Sequence, residues 1–232
     1  MTNKAIILAG GLGTRLQSVV KELPKPMAPV QGKPFLEFVF QYLIAQGIEE
    51  AILSIGYRAE AIRAYFGDQY RSCQLKYVIE AEPLGTGGAI KKAAELCGEE
   101  TFFVLNGDTI FDANLKALET IFLQQKADVA LSLKAMRNFD RYGLVEIDGD
   151  FRIRAFQEKQ YCEAGLINGG IYLMKKSVFD LAVFPQKFSF EKDFLETYLD
   201  QLKIIGCPLD GYFIDIGIPE DYERAQRELI VE

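Results

Sequence analysis

The stretch Lys4–Lys25, KAIILAGGLGTRLQSVVKELPK, begins with an apolar run and continues into a glycine-rich loop. Residues 5–9 form a short apolar run that ends at a glycine, which predicts a strand buried on both faces rather than a helix. Gly10, Gly11 and Gly13 follow, so the backbone can turn tightly and bring its N–H groups close to a ligand. The stretch therefore predicts the first strand of a sheet, with a ligand-binding loop at its end.

Two cations accompany this loop. Arg15 carries a planar fork of donors that matches phosphate oxygens. Lys25 stands between Pro24 and Pro26, which leave it little freedom to be helical, so its ammonium can be fixed as a point charge on the same group. The combination predicts a polyanionic ligand, most simply a nucleoside triphosphate.

The glycine pattern of the loop is not specific to a triphosphate site. An ordinary strand-to-helix turn has the same pattern and fits the loop equally well. A dinucleotide-binding loop requires a glycine where this chain has Leu16, and the phosphate loop of the common NTPases requires Gly-Lys followed by Ser or Thr, which the stretch lacks. Both of those families are therefore disfavoured.

The composition limits the class of protein. With 232 residues, 49% of them hydrophobic, the chain is expected to form one domain with a packed core. A net charge of −7 argues against nonspecific binding of nucleic acid, and no apolar run reaches the ~20 residues that span a bilayer. The N-terminus leads directly into the predicted strand. We therefore expect no signal peptide, a cytoplasmic location, and no nucleic-acid or membrane partner.

Histidine is absent from the sequence, and its cysteines show no metal-ligand spacing. Catalysis by a Ser-His-Asp or Cys-His arrangement is therefore excluded, as is a histidine-ligated metal. Any chemistry must use carboxylates, cations and a bound metal ion. The four cysteines, Cys73, Cys97, Cys162 and Cys207, are expected to be isolated and mostly buried thiols.

In the first half of the chain, apolar runs typical of strands alternate with segments of helical periodicity. The predicted strands are residues 5–9, 51–55, 75–79 and 101–105. The predicted helices are residues 35–46, 58–66, 88–96 and 115–125. This alternation predicts an α/β fold with a mostly parallel sheet.

After Asp128 the pattern changes, because strand-like runs follow one another with little helix between them. The runs are residues 129–133, 144–147, 151–156 and 171–174, and amphipathic helices are predicted at residues 191–202 and 219–229. The sheet is therefore expected to become mixed. We predict a single domain over residues 1–232, with two halves that meet at about residue 127.

Two aspartates follow strand-like runs in a way that suits a metal ion. Asp108 comes after the strand 101–105, and Asp215 ends the apolar run Tyr212–Ile214. Ligands of open α/β sheets bind beyond the carboxyl ends of the strands. The two carboxylates could together hold one Mg²⁺, or Mn²⁺ in its place, with phosphate oxygens as further ligands. For each aspartate alone, a helix cap or a turn accounts for the residue more simply.

A second pair of aspartates, Asp148 and Asp150, looks like a metal-binding D-x-D motif. The pair lies between two strand-like runs, with Gly149 at its centre, and this position favours a hairpin turn.

Polar groups suited to a sugar phosphate occur in the second half. Lys159 follows a predicted strand and could contact a second phosphate, although a solvated surface lysine is the simpler interpretation. Asn168 stands beside Gly169 and Gly170, which suits hydrogen bonds to sugar hydroxyls and equally suits a tight turn.

Glu80 is predicted to read a nucleotide base, a role that the family resemblance of its segment implies. It follows the strand 75–79, five residues before Gly85. Guanine presents two adjacent donors on its Watson–Crick edge, and a carboxylate can accept from both, whereas uracil and thymine present one donor flanked by acceptors. Glu82 is the competing candidate, and a solvated acidic residue at a strand end is the simpler interpretation of either.

With these residues in hand, the chain resembles the sugar-1-phosphate nucleotidylyltransferases over essentially its whole length. Residues Gly10–Leu16 and Lys25-Pro26 are similar to the family's signature for a nucleoside triphosphate, and Glu82–Gly88 is similar to the base-binding segment of its guanylyltransferases. The resemblance implies a single-domain, Rossmann-like nucleotide-diphospho-sugar transferase fold with a central mixed, mostly parallel sheet. The half of about residues 1–127 would bind the nucleotide, and the half of about residues 128–232 the sugar phosphate.

The resemblance also implies the role of each candidate residue. The implied catalytic residues are Arg15, Lys25 and Lys159, and the implied metal ligands are Asp108 and Asp215. The implied nucleotide-binding residues are Leu8, Ala9, Gly10, Gly11, Gly13, Thr14, Arg15, Glu80, Gly85, Asn106 and Gly107. The implied sugar-phosphate-binding residues are Tyr142, Gly143, Glu158, Lys159, Asn168 and Gly169.

Within the family, Pro34–Phe38, Arg141–Gly143 and Tyr212–Gly217 are similar to the branch that acts on heptose 1-phosphates. The implied reaction joins GTP and a heptose 1-phosphate into GDP-heptose and pyrophosphate, with Mg²⁺ as cofactor. Its product would feed a bacterial surface glycan such as lipopolysaccharide, a capsule or an S-layer glycan. The alternatives are another sugar 1-phosphate such as mannose 1-phosphate, a glycosyltransferase with Asp148 and Asp150 on its metal, and an inactive regulatory subunit that binds a nucleotide sugar.

Overall fold

The computed structural model describes residues 2–11, 16 and 23–230. Its strands, β1 to β14 in chain order, are Lys4–Leu8, Pro29–Val30, Lys33–Pro34, Glu50–Ile55, Gln69–Tyr70, Cys73–Ile79, Thr101–Asn106, Thr109–Phe111, Val129–Phe139, Val145–Ile147, Ile153–Phe156, Cys162–Lys175, Ile204–Pro208 and Phe213–Asp215. Its α-helices, α1 to α5, are Phe35–Ala45, Ala59–Phe66, Gly85–Cys97, Leu115–Gln125 and Pro219–Glu228. Shorter helical turns are the 3₁₀ turns Lys25–Met27 and Lys176–Asp180 and the π-helix Phe190–Glu196.

Eight of the described strands form one sheet in the order β13-β9-β12-β7-β1-β4-β6-β5. The neighbours β7, β1, β4 and β6 run parallel, as the alternation of strands and helices predicts. Beyond β7 the sheet becomes mixed, because β12 is antiparallel to both β7 and β9, while β13 is parallel to β9. The sheet is therefore continuous through the first and second halves of the chain, and the α/β prediction is confirmed.

Apolar side chains cover both faces of this sheet. In β1, Ala5 and Ile7 belong to one apolar cluster and Ile6 to the other, since successive side chains of a strand point to opposite faces. All three are 0% exposed, and full burial of one isoleucine contributes roughly 1.5–3 kcal/mol. Helices α1, α2, α4 and α5 supply the first cluster, and α3 and the π-helix supply the second. The sheet is thus the middle layer, which explains the continuous apolar runs in its sequence.

The prediction of an amphipathic helix over residues 191–202 is wrong. The chain forms the π-helix Phe190–Glu196 and then a series of turns. The rings of Phe190 and Phe194 stack with centroids 5.2 Å apart, and Tyr198 packs against the second of them. Packing of these rings into the second apolar cluster determines the π-helical backbone conformation of this stretch. Helical periodicity in the sequence does not predict that conformation.

The predictions do not include the strands β13 and β8. The edge strand β13 has no alternation of apolar and polar residues. The short strand β8 pairs, among the described strands, only with β14, which overlaps the predicted apolar run Tyr212–Ile214.

None of the helices in the described part of the chain is long and apolar enough to cross a bilayer.

Candidate active site

The parallel strands β1, β4, β6 and β7 end along one edge of the sheet, and a cavity of about 700 Å³ opens at that edge. This is the place where ligands of open α/β sheets bind, and the volume lies in the usual range for a ligand pocket. Each of the four strands is followed by wall residues. The described lining consists of Leu8, Ala9, Gly10, Gly11, Lys25, Pro26, Gly56, Tyr57, Glu80, Ala81, Pro83, Gly85, Thr86, Ala89, Asn106, Asp108, Glu191 and Gly217.

Lys25 joins the two predicted metal ligands. It begins a 3₁₀ turn between two prolines, and its side chain is only 11% exposed. Its Nζ lies 2.5 Å from Oδ2 of Asp108 and 3.4 Å from Oδ1 of Asp215. The structure therefore brings together three charged residues that are far apart in the sequence.

The charges of this cluster influence one another. Burial first, and the neighbouring Asp108 carboxylate second, raise the pKa of Asp215 above its usual value, while the Lys25 ammonium opposes the rise. A pair of carboxylates in this position requires a cation, and the ammonium supplies one. The carboxylate oxygens also suit Mg²⁺. This ion binds one or two protein carboxylates and completes its coordination shell with phosphate oxygens and water.

The oxygens of Asp108 and Asp215 are a partial ligand set. No group of three or more His, Cys, Asp or Glu side chains arranged for a metal occurs among residues 2–11, 16 and 23–230. The donor chemistry therefore suits a metal that arrives with a phosphate-bearing ligand, rather than one held in a complete protein cage.

The short sheet of β8 and β14 sets the spacing of the aspartates. Asp215 lies opposite Thr109 in this antiparallel pair, and the backbone N–H of Ile216 donates to the carbonyl of Asp108 over 3.0 Å. Gly217 follows, and a Cβ at that position would lie 2.9 Å from Oδ1 of Asp215 and 3.3 Å from Nζ of Lys25. A side chain at this position would therefore displace the ends of the Asp215 and Lys25 side chains from their present positions.

Glu80 lies on the opposite wall of the cavity. Its Oε1 accepts from the Ser54 hydroxyl over 2.8 Å, and its Oε2 accepts from the backbone N–H of Leu84 over 3.2 Å. These bonds fix the carboxylate, and its unused lone pairs can still accept from a base, since a carboxylate offers about four acceptor positions.

A second cavity, of about 290 Å³, lies beside β10, β11 and β12. It is lined in the described residues by Tyr142, Gly143, Leu144, Val145, Phe156, Gln157, Glu158, Lys159, Asn168, Glu191, Lys192 and Glu196. Five residues of the predicted sugar-phosphate set therefore share one cavity, although they are spread over three stretches of sequence. Glu191 lines this cavity as well as the larger one.

The ring of Tyr142 is held at this cavity by neighbouring groups. It packs edge-on against Phe213, with centroids 5.8 Å apart, and the Arg141 guanidinium lies over it. Burial first, then the charge of Asp215, raise the pKa of Tyr142 to about 12. Tyr142 is therefore neutral at pH 7 and can donate a hydrogen bond.

Asn168 has a fixed amide orientation. Its Oδ1 accepts from the backbone N–H of Gly170 over 2.9 Å, and its Nδ2 donates to the hydroxyl of Tyr172 over 2.8 Å. One amide proton and one lone pair are then left for a ligand in the second cavity.

Six predicted residues are not in the described lining of the two cavities. Gly13, Thr14 and Arg15 are outside the described residues. Gly107, Gly169 and Asp215 are not among the described lining residues of either cavity, although Asp215 contacts Lys25, which lines the larger one. The N–H of Gly107 donates to the carbonyl of Leu8, and a Cβ on Gly169 would touch the ring of Phe111.

Sequence reasoning missed several residues of the two cavities, namely Gly56, Tyr57, Glu191, Lys192 and Glu196. Gly56 and Tyr57 follow β4, so the rule that ligands lie beyond strand ends could have found them. The remaining three belong to the π-helix, whose position no local pattern indicates.

The pair Asp148 and Asp150 is a hairpin turn, as its position between strands predicts. Oδ1 of Asp148 accepts from the backbone N–H groups of Asp150 and Arg152, and its Oδ2 accepts from Arg154. Although partial desolvation opposes the shift, these bonds lower the pKa of Asp148. Neither aspartate is among the described lining of either cavity.

Comparison with known proteins identifies close relatives. A model of the nucleotidyl transferase family matches residues 4–231. The chain is 53% identical to the D-glycero-alpha-D-manno-heptose 1-phosphate guanylyltransferase of Aneurinibacillus thermoaerophilus, over 97% of this chain and 98% of that protein. It is 51% identical to the protein of the same name from Campylobacter jejuni, over 94% and 96% of the two chains.

A solved structure gives the same result for the fold. The crystal structure of HddC from Yersinia pseudotuberculosis superposes with a TM-score of 0.89 at 39% identity, over 98% of this chain and 99% of that one. The crystal structure of the same protein complexed with GMP-PN superposes with a TM-score of 0.87.

Proposed function

The chain belongs to the nucleotidyl transferase family, and on that premise we propose that it is a guanylyltransferase that joins GTP to D-glycero-α-D-manno-heptose 1-phosphate. The products would be GDP-heptose and pyrophosphate. The observation that carries the proposal is identity above 50%, over nearly the whole of both chains, with two heptose 1-phosphate guanylyltransferases. Supporting it are two cavities that adjoin at Glu191, one with phosphate-binding chemistry and one with hydroxyl-binding chemistry.

The reaction would be a direct in-line displacement. A phosphate oxygen of the sugar 1-phosphate attacks the α-phosphorus of GTP, the bond from that phosphorus to the α,β-bridging oxygen breaks, and pyrophosphate leaves with the electron pair. No protein nucleophile is required, because positioning and charge neutralisation supply most of the catalysis in such transfers. This matches two cavities whose described linings contain lysines and carboxylates but no histidine or cysteine.

Three residues carry the proposed charge neutralisation. Lys25, held between two carboxylates, would stabilise the charge that develops at the α-phosphate. Lys159 would hold the attacking phosphate from the second cavity. Arg15 and the loop N–H groups are proposed to hold the triphosphate, from the sequence alone.

Mg²⁺ is the proposed cofactor, with Mn²⁺ able to replace it, and Asp108 and Asp215 are the residues that would hold it. When bound, the metal would neutralise charge on the phosphate oxygens and lower the barrier to displacement. In this proposal the protein keeps the two carboxylates within reach of one cation, and the pairing of β8 with β14 supports that role.

The choice of base is proposed to rest on Glu80. A carboxylate fixed by Ser54 and Leu84 can accept from N1–H and the N2 amino group of guanine, and it would repel the carbonyl oxygens of uracil and thymine. Because GTP and sugar phosphates are cytoplasmic metabolites, the cytoplasm is the proposed location. A bacterial surface glycan such as lipopolysaccharide, a capsule or an S-layer glycan is the proposed destination of the product.

A pyrophosphate-release assay over a grid of substrates tests the proposal. GTP, ATP, UTP and dTTP would each be combined with D-glycero-α-D-manno-heptose 1-phosphate, mannose 1-phosphate, glucose 1-phosphate and N-acetylglucosamine 1-phosphate. The highest kcat/KM is expected for GTP with the heptose 1-phosphate. A higher value for mannose 1-phosphate would replace the proposed sugar, and no turnover in any combination would favour a regulatory subunit.

A further inference from the structure

The two cavities are joined by one stretch of chain, residues 186–192, here called the bridging segment. On one side it contacts the start of α3, where the N–H of Gly87 donates to the carbonyl of Phe188 and the N–H of Phe188 donates to the carbonyl of Leu84, each over 3.0 Å. On the other side Lys192 pairs with Glu158 over 2.9 Å. The segment thus touches the predicted base site and the predicted sugar site.

Glu191 is the residue of this segment that reaches both sides. Its Oε2 accepts from the hydroxyl of Thr86 over 2.9 Å and from that of Ser189 over 3.2 Å. Its Oε1 accepts from the hydroxyl of Tyr172 over 3.2 Å. Thr86 belongs to the wall of the larger cavity, and Tyr172 holds the amide of Asn168 at the smaller one.

The direction of these hydrogen bonds requires a carboxylate. Tyr172 already accepts from Asn168, and Thr86 already accepts from the backbone N–H of Phe190 over 2.8 Å. Each hydroxyl must therefore donate its own proton onward, and both protons end on Glu191. Tyr172 is 1% exposed, so water cannot replace the carboxylate as its acceptor.

We propose that Glu191 is a positioning residue that couples the two substrates: it terminates one hydrogen-bond chain from the base site and one from the sugar site. A nucleotide bound against Thr86 holds the Thr86 hydroxyl on the carboxylate, and the carboxylate in turn holds Tyr172 and so the amide of Asn168. By linkage, a sugar 1-phosphate on Asn168 strengthens nucleotide binding by the same factor. This inference rests on the proposed function, because it takes the two cavities as the nucleotide and sugar-phosphate sites.

Binding of one substrate with and without the other tests the coupling. The probes are the α,β-methylene analogue of GTP, which cannot react at the α-phosphorus, and D-glycero-α-D-manno-heptose 1-phosphate, both with Mg²⁺. In the wild-type protein the analogue is expected to tighten sugar 1-phosphate binding by about 5–150-fold, the usual range for coupled sites. Calorimetric titration measures both affinities directly, without turnover.

Three variants locate the effect. Glu191→Gln keeps one acceptor oxygen and places an NH₂ group at the other position, so the hydroxyl groups on that side lose their acceptor and the coupling factor is expected to fall at least 5-fold. Tyr172→Phe removes only the chain to Asn168. It should weaken coupling while leaving affinity for the analogue alone within 2-fold of wild type. Asp193→Asn is the matched control. Asp193 lies in the same π-helix as Glu191, accepts from the backbone N–H of Ser189 and lines neither cavity. The coupling factor of this variant should equal that of wild type.

A folded Glu191→Gln protein, or Tyr172→Phe if the first variant does not fold, that retains the wild-type coupling factor would overturn the inference. A wild-type factor near one would also overturn it. Failure of the proposed function is separate, because it would appear as turnover with another nucleotide or sugar 1-phosphate. The titrations would then be run with that pair.

Discussion

Lys25 is the residue at which the charges of the site meet. Its ammonium contacts two carboxylates whose side chains are 33% and 29% exposed. A point charge fixed by a 3₁₀ turn between prolines loses little freedom when a phosphate binds. An interaction of this kind contributes most where charge develops during the reaction, and less to binding of the ground state.

The variant Lys25→Ala is therefore expected to lower kcat by roughly 10²–10³, the usual loss for one transition-state donor, with a smaller change in KM for GTP. Steady-state pyrophosphate release measures both constants, and circular dichroism checks the fold. Lys116→Ala is the control, since Lys116 is exposed on α4 and lies outside the described lining of both cavities. A kcat within a few-fold of wild type would remove Lys25 from the reaction.

The proposed contact of Glu80 with guanine leads to a prediction about the preference for GTP over ITP. Because ITP lacks the N2 amino group, wild-type protein should prefer GTP over ITP by about 1–3 kcal/mol, the usual cost of an unsatisfied buried partner. Glu80→Gln should lose much of that preference, since an amide offers one acceptor oxygen where a carboxylate offers two. The ratio of kcat/KM for GTP and ITP measures it, and Glu82→Gln is the matched control. If the ratio changes only in the control, Glu82 reads the base.

At the scale of elements, the pair β8–β14 brings the proposed metal ligands Asp108 and Asp215 together from two distant parts of the chain. The hydrogen bond from the backbone N–H of Ile216 to the carbonyl of Asp108 fixes the register, so the backbone of one aspartate is held beside that of the other. The hairpin β10–β11 holds its own aspartate differently, because Asp148 accepts two backbone N–H groups within the turn.

Asp108→Asn and Asp215→Asn should therefore each abolish turnover, and chelation of Mg²⁺ should do the same to wild type. Asp148→Asn should keep activity within about 2-fold, because an amide oxygen can still accept the two backbone bonds and only a solvent-screened ion pair with Arg154 is lost. The measurement is pyrophosphate release across a Mg²⁺ titration. Essential Asp148 with dispensable Asp215 would move the metal to the hairpin and favour the glycosyltransferase.

The contact of α3 with the bridging segment gives a second prediction at this scale. A Cβ on Gly87 would lie inside van der Waals contact of the Phe188 ring. In a helix, alanine is more favourable than glycine by about 1 kcal/mol, but overpacking against the ring costs roughly 1–3 kcal/mol. Gly87→Ala should therefore lower the free energy of unfolding. It should also raise KM for GTP. Denaturant unfolding and kinetics measure both. The control is Gly149→Ala, where a Cβ meets nothing within 4 Å. An unchanged KM in Gly87→Ala would mean that the start of α3 does not shape the base site.

The elements differ in how far the sequence predicts them. The strands β1, β4, β6 and β7 are buried on both faces, so each leaves a continuous apolar run, and their shared edge followed from their parallel order. The wall formed by the π-helix depends on ring packing between distant residues, and the register of β8 with β14 depends on pairing. Neither is a local property, so Glu191 left no signal, whereas Asp108 and Asp215 could be found because each ends a strand-like run.

At the scale of the whole molecule, buried side chains, including three cysteines, lie on both faces of the large sheet. Cys73 and Cys207 lie in the first apolar cluster and Cys97 in the second, all 0% exposed. Burial raises the pKa of Cys73 to about 11 and that of Cys207 to about 12. The pKa of Cys97 is also raised, again mainly by burial. These thiols are therefore protonated as well as inaccessible at pH 7 to 8, and they can react only when the sheet opens. Cys162 is partly exposed near the start of β12.

Thiol labelling should consequently show one fast and three slow groups. In native buffer at pH 8, Ellman's reagent is expected to modify one thiol per chain quickly, and Cys162→Ser should remove that phase without changing the rest. Guanidinium chloride should expose all four thiols of the sequence. GTP with Mg²⁺ at about 100 times its dissociation constant should slow the three remaining reactions by up to about 100-fold, because binding to the folded state alone stabilises it by about 2.7 kcal/mol. A second fast thiol in native buffer would show that one face of the sheet opens locally. An unchanged slow phase with GTP would show that these thiols react without disturbing the nucleotide site.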